Sequence, residues 1–234
     1  MSAAHGSPGP VTADDVRDAV LLAADALRAA GPADWDTRAG SLEWSCRETV
    51  EHLADDLFAY AAQLGSPDAG APSGTEVPFV WRAQRPGAPA NVIFADPAAG
   101  AAGLVRVLEA CGALLTAMVR TTSAEVRSHH VFGASDPEGF AAMGVVETLV
   151  HLHDVAEGLG LRWEPDPGLC DRALARLFPD APADTGRGGA RGGGAPPGGA
   201  PPRPPPPPRR RGGGAGPPGG GGVAKSRRCW GADG

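Results

Sequence analysis

Apolar residues recur at helical spacing in four long stretches of the chain. In the first, Val16, Ala19, Val20, Ala23 and Leu27 recur at three-to-four spacing along one face, and the Thr12 hydroxyl is placed to cap their first turn. This pattern predicts an amphipathic helix from Thr12 to about Ala30. Ser45, with Glu48 three residues later, forms a capping box for a second helix that runs to Gly65 and carries Val50, Leu53, Leu57 and Tyr60 on its apolar stripe. Asp96 and Pro97 supply an N-cap and a first-turn proline for a third helix through Leu104, Val107, Leu108, Leu114, Leu115 and Met118. Asp136 and Pro137 repeat the signal for a fourth through Phe140, Met143, Val146 and Val150, closed by Gly158 or Gly160. Asp166 and Pro167 open a shorter fifth, to Phe178.

Between the second and third helices, residues 66–95 are rich in Gly, Pro, Ser and Ala, with an apolar island at Val77, Phe79, Val80 and Trp81. A long ordered loop is expected, a kind of segment that is often functional. Period-two alternation is nowhere convincing, so strands are at most minor. The fold class is all-α: a bundle of four helices with one additional short helix.

Composition sets the limits of that fold. Gly and Pro make up 29 of the last 49 of 234 residues, which cannot build a core, so a disordered C-terminal tail is expected at 185–234 behind a folded domain at 12–183. Nine of the 21 basic residues but only one of the 27 acidic ones fall in those 49, leaving the preceding 185 near −14. Such a surface repels phosphate backbones and anionic membranes, so no nucleic-acid partner is expected for the folded domain. The arginine-bearing tail reads as a solvated segment, or as a weak binder of polyanions. No run of 18 apolar residues and no signal-peptide pattern is present, so neither a membrane nor export is indicated and the cytoplasm is the expected location. Cys46, Cys111, Cys170 and Cys229 follow no paired spacing and read as reduced thiols, the first three of them packing residues.

Candidate chemistry lies on the second and fourth helices. Glu147 and His151 are four apart, which stacks them on one helix face at a distance one metal ion can bridge. A surface ion pair has the same spacing, but Val145, Val146, Leu149 and Val150 turn part of this face toward the core, where ionisable groups need partners. His52 sits beside the apolar stripe of the second helix, where a core-edge histidine bonded to a carbonyl is the ordinary alternative. Taken together, His52, Glu147 and His151 make the donor set of an open catalytic metal site. Asp56, one turn after His52, and Asp154, three residues after His151, are placed to orient a ligating imidazole or else to sit on helix surfaces. His130, in the connector before the fourth helix, either borders the open side or is a plain loop histidine, and His153 points away from His151.

The segments WSCRETVEHLADDL from Trp44, FGASDPEGFAAMGVVETLVHLHDVAEGLGL from Phe132 and LFPDAP from Leu177 resemble the metal-binding domain of the mycothiol-dependent maleylpyruvate isomerase family, within the DinB-like superfamily. The resemblance covers roughly residues 12–183 and implies a DinB-like four-helix bundle. It also implies a divalent ion, commonly zinc, held by His52, Glu147 and His151, with an open position at which a metal-bound thiol or water is activated. The implied partners are a low-molecular-weight thiol such as mycothiol and a small electrophile, and the implied activity is that of a thiol-dependent isomerase or S-transferase. A metal-dependent hydrolase and a non-catalytic metal-stabilised module use the same donors and stay open. The family's members continue beyond the bundle with a further domain or an apolar segment; the Gly/Pro/Arg text after Thr185 instead reads as a frameshift product of a GC-rich gene.

Overall fold

Capping side chains set where the helices begin. In the computed structural model, which describes residues 8–31, 33–66 and 76–180, Thr12, Ser45, Asp136 and Asp166 each accept a backbone N–H of the first turn from the N-cap position. The helices are α1 (Ala13–Ala29), α2 (Cys46–Leu64), α3 (Gly100–Thr121), α4 (Pro137–Leu159) and α5 (Pro167–Leu177). All five lie where the pattern predicts them, and the described residues are mostly helical. The expected boundary near residue 183, the tail at 185–234 and Cys229 lie outside the described residues.

The start of α3 differs in detail. Asp96 does cap a turn, but it is a 3-10 turn over Pro97–Ala99, and Gly100, at φ 62°, breaks it from α3. The capping signal is therefore spent on a short turn that Gly100 separates from the helix that follows.

α1 and α2 each pack against both α3 and α4, so the four long helices close a bundle in the order α1, α3, α2, α4, and α5 rests on α4. Leu27, Leu53, Leu57, Leu104, Leu108, Leu115, Phe140, Leu149 and Leu152 are fully buried in it. Burial of each stabilises the fold by about 1.5–3 kcal/mol relative to exposure. Small residues let helices approach: a Cβ on Gly144 would come within 2.6 Å of Leu115 Cδ2 and 3.2 Å of Leu57 Cδ2. By length and composition the stretch Pro97–Thr121 is apolar enough to cross a membrane, yet Leu104, Val105, Leu108, Cys111 and Leu115 on it are core residues of the bundle.

The segment between α2 and α3 carries the minor strands, β1 (Arg82–Ala83) and β2 (Ala90–Asn91), an antiparallel pair in which Arg82 faces Asn91. Carboxylates of α2 hold this hairpin down. Asp55 Oδ1 accepts from the N–H groups of Val92 and Ile93, both at 2.8 Å, and Glu51 Oε1 accepts from Ala95 N–H at 2.9 Å. Burial pushes both carboxyls above their usual range, and the backbone donors pull them partly back. Nearer the start of α2, Arg85 forks onto Glu48 at 2.6 and 2.8 Å.

Candidate metal centre

The capping box at Ser45 fixes the register of α2, and with it the placing of His52 and Asp56 one turn apart on a single face. On α4, Glu147 and His151 stand in the same relation. Because α2 and α4 pack against each other, the two pairs meet. The rings of His52 and His151 lie 5.4 Å apart, nearly perpendicular at 73°.

Four donor groups gather there. His52 Nε2 lies 3.5 Å from Asp56 Oδ2, His151 Nε2 lies 4.0 Å from the same oxygen, and His151 Nε2 lies 3.3 Å from Glu147 Oε2. Among the described residues the set whose donor atoms all fall within 4.8 Å of one another is His52, Asp56 and His151. Glu147 adjoins that set through His151, and its Oε1 accepts a hydrogen bond from the Tyr60 hydroxyl at 3.4 Å. Asp56 thus points into the cluster itself, where its spacing alone suggested either an orienting role or an exposed helix surface. Asp154 is buried beneath the turn at Gly40.

The electrostatics follow from this crowding. Burial drives the Asp56 carboxyl well above the usual range, the Glu147 charge adds to the rise, and His151 opposes it. Burial also works to raise Glu147, but the hydrogen bond and charge of His151, the charge of His52 and the Tyr60 hydroxyl bring it below its ordinary value. No arginine is among the groups acting on either carboxyl. Two carboxylates and two imidazoles therefore converge with only the histidines available to offset the negative charge. This donor set suits a divalent cation, which two carboxylates neutralise and which imidazole and carboxylate both ligate.

Asn91, on β2, is a functional residue that sequence reasoning missed. Its Oδ1 lies 3.0 Å from His52 Nδ1, and the side chain is buried. An amide oxygen only accepts, so His52 Nδ1 donates to Asn91 and the other ring nitrogen, Nε2, is the one turned toward Asp56 and His151. No spacing rule links Asn91 to a histidine 39 residues earlier; the only hint was the length of the intervening loop. Replacing Asn91 by Ala should weaken divalent-metal affinity by about 10- to 100-fold, measured by competition with a chromophoric chelator.

Aromatic rings wall the cluster. Trp44 meets the His52 ring at 4.9 Å and the His151 ring at 6.2 Å, and its Nε1 donates to the Gly87 carbonyl at 3.0 Å. On the Glu147 side, Tyr60 packs against Phe140 at 5.8 Å and His130 at 5.7 Å. His130 also touches Phe132, which is 70% exposed, so His130 stands between the buried cluster and solvent. Burial lowers the His130 pKa, while the nearby Glu147 charge works against that. The described cysteines take no part: Cys46, Cys111 and Cys170 are buried, and burial pushes their thiols up to about 11, 11 and 12.

Comparison with known proteins agrees with this architecture. Neither the curated proteins nor the solved structures compared with the chain give a match. A family model described as the mycothiol maleylpyruvate isomerase N-terminal domain matches residues 4–156, about two thirds of the chain, and its span takes in α1 to α3, most of α4, and both histidines of the cluster. A four-helix bundle with the two histidines facing each other across α2 and α4, matched over that length, makes this chain a member of the mycothiol maleylpyruvate isomerase N-terminal domain family.

Proposed function

We propose that the protein is a cytoplasmic, divalent-metal-dependent enzyme of the thiol-using isomerase or S-transferase class. It binds one ion, zinc being the commonest choice for such donors, through His52, Glu147 and His151. The reaction partners are a low-molecular-weight thiol of the mycothiol type and a small electrophile.

The observation that carries this reading is the meeting of two imidazoles from separate helices at a carboxylate-lined point, with rings 5.4 Å apart, in a protein whose described cysteines are all buried. None of these three supplies a nucleophilic thiol, since thiols with pKa values of about 11 and above stay protonated at neutral pH, which supports a thiol from outside. When bound, the ion supplies a Lewis acid that favours thiolate over thiol near neutral pH. The chain's own residues do the rest. Asn91 holds the His52 ring with Nε2 inward, Trp44 covers one side, and the Tyr60 hydroxyl keeps a proton directed at Glu147 Oε1. His130 and Phe132 border the solvent side, where an electrophile would enter. Free, buried cysteines fit a reducing compartment.

The test is a rate measurement on zinc-loaded protein with maleylpyruvate as electrophile, with and without mycothiol. Turnover that rises with thiol concentration and disappears on chelation is expected. Turnover independent of thiol would replace this reading with a hydrolase.

A further inference from the structure

The family's donor pattern leaves Asp56 without an assigned part, yet this carboxylate sits closer to the two imidazole Nε2 atoms, taken together, than Glu147 does. Asp56 Oδ2 is 3.5 Å from His52 Nε2 and 4.0 Å from His151 Nε2, whereas Glu147 falls outside the set whose donors all lie within 4.8 Å of one another. Ligands held about 2.0–2.2 Å from one tetrahedral ion stand about 3.3–3.6 Å from each other, so Asp56 already has ligand spacing to His52, at 3.5 Å, and stands a little beyond it from His151, at 4.0 Å.

The hydrogen-bond pattern leads the same way. Asn91 Oδ1 accepts from His52 Nδ1, so the ring turns its other nitrogen, Nε2, toward the Asp56 carboxylate. Asp56 thus faces the nitrogen of His52 that is left to ligate, whereas Nδ1, the nitrogen an orienting partner would hold, is already taken by Asn91. The carboxylate is also 16% exposed, too enclosed for water alone to satisfy it.

We propose that Asp56 is a direct ligand of the divalent ion, giving a site of two nitrogen and two carboxylate donors: His52, Asp56, His151 and Glu147. This rests on the metal-binding reading above and changes its character. With both carboxylates bound, a divalent ion is formally neutralised instead of keeping a net positive charge. Such a site is harder than one of two histidines and one carboxylate, and accommodates ions that accept five or six donors, with the incoming thiol or substrate completing the set.

Titration of the full chain with Co2+ tests this, followed by its visible d–d absorption and by competition with a chelator. Asp56→Asn keeps the side-chain shape and an oxygen acceptor but removes the charged ligand. It is expected to weaken Co2+ binding at least tenfold and to change the position or intensity of the absorption bands. The apo variant should fold as well as the wild type, by far-ultraviolet circular dichroism, because it removes one of two crowded carboxylates. Unchanged affinity and spectrum would overturn the proposal. Weakened affinity with an unchanged spectrum would also overturn it, making Asp56 a residue that merely positions others. His52→Ala separates the two readings: loss of Co2+ there, beside an unaffected Asp56→Asn, removes only the role of Asp56, whereas wild-type binding by both variants removes the metal site altogether.

Discussion

Replacing His151 by alanine is expected to take the metal content of the purified chain from about one ion to near zero, and to destabilise the apo protein as well. Both effects follow from its position. His151 is the group that touches every other member of the cluster: Glu147 at 3.3 Å, Asp56 at 4.0 Å and the His52 ring at 5.4 Å. Without it, no nitrogen donor remains on α4 to face His52. Glu147 also loses the partner that holds its carboxyl low, while Asp56 still crowds it. Removing one partner of an enclosed charge pair costs about 3–5 kcal/mol when the other charge has nowhere to go. Here Asp56 can take up a proton, so a loss of about 2–3 kcal/mol in denaturant unfolding is the better expectation. His151→Gln, which preserves most of the volume, should lose the metal equally while destabilising less. Metal analysis showing wild-type stoichiometry in either variant would dispose of the metal centre.

Much of this arrangement was legible along the chain. Thr12, Ser45, Asp136 and Asp166 announced helix starts because capping is local chemistry, settled within four residues. Asp96 was equally local but served a 3-10 turn, since Gly100 diverts the backbone before α3 begins. The pairing of Glu147 with His151 was visible as spacing, and its inward aspect as the surrounding valines and leucines.

What spacing does not carry is the angle at which α2 meets α4. That crossing aims Asp56 between the two imidazoles, whereas its position in the sequence fits an outward carboxylate as readily. Asn91 was hidden for a different reason. It reaches His52 because Asp55 and Glu51 hold the strand backbone against α2, a set of contacts that span 37 to 44 residues and leave no periodic trace.

Gly158 shows the same limit and leads to the second large effect. The pattern offered it as a helix terminator, but α4 runs past it and closes at Gly160, which takes the left-handed conformation at φ 67°. Gly158 is instead a packing position. A Cβ there would overlap the Arg38 carbonyl oxygen and come within 2.6 Å of Cys46 Sγ and 3.2 Å of Ala39 Cα. The obstacle is backbone that has little room to move. The segment it belongs to is pinned by Ala39 N–H to the Trp44 carbonyl at 2.9 Å, Cys46 N–H to the Thr37 carbonyl at 2.8 Å and Arg47 N–H to the Trp35 carbonyl at 2.9 Å. Gly158→Ala should therefore lose about 2–3 kcal/mol, even after the gain of up to about 1 kcal/mol that alanine brings to a helix interior. For a domain of this size that corresponds to a fall in Tm of about 4–12 °C. Gly65→Ala is the matched control, since its Cβ would meet nothing nearer than 3.6 Å and its φ is −85°. Because the displaced segment leads through Trp44 into the first turn of α2, Gly158→Ala should also weaken metal binding, by loosening the wall that packs on His52. A Gly158→Ala variant that melts with the wild type would mean that the segment from Trp35 to Arg47 does not seat on α4 as described, and the placement of Trp44 over the histidines would fall with it.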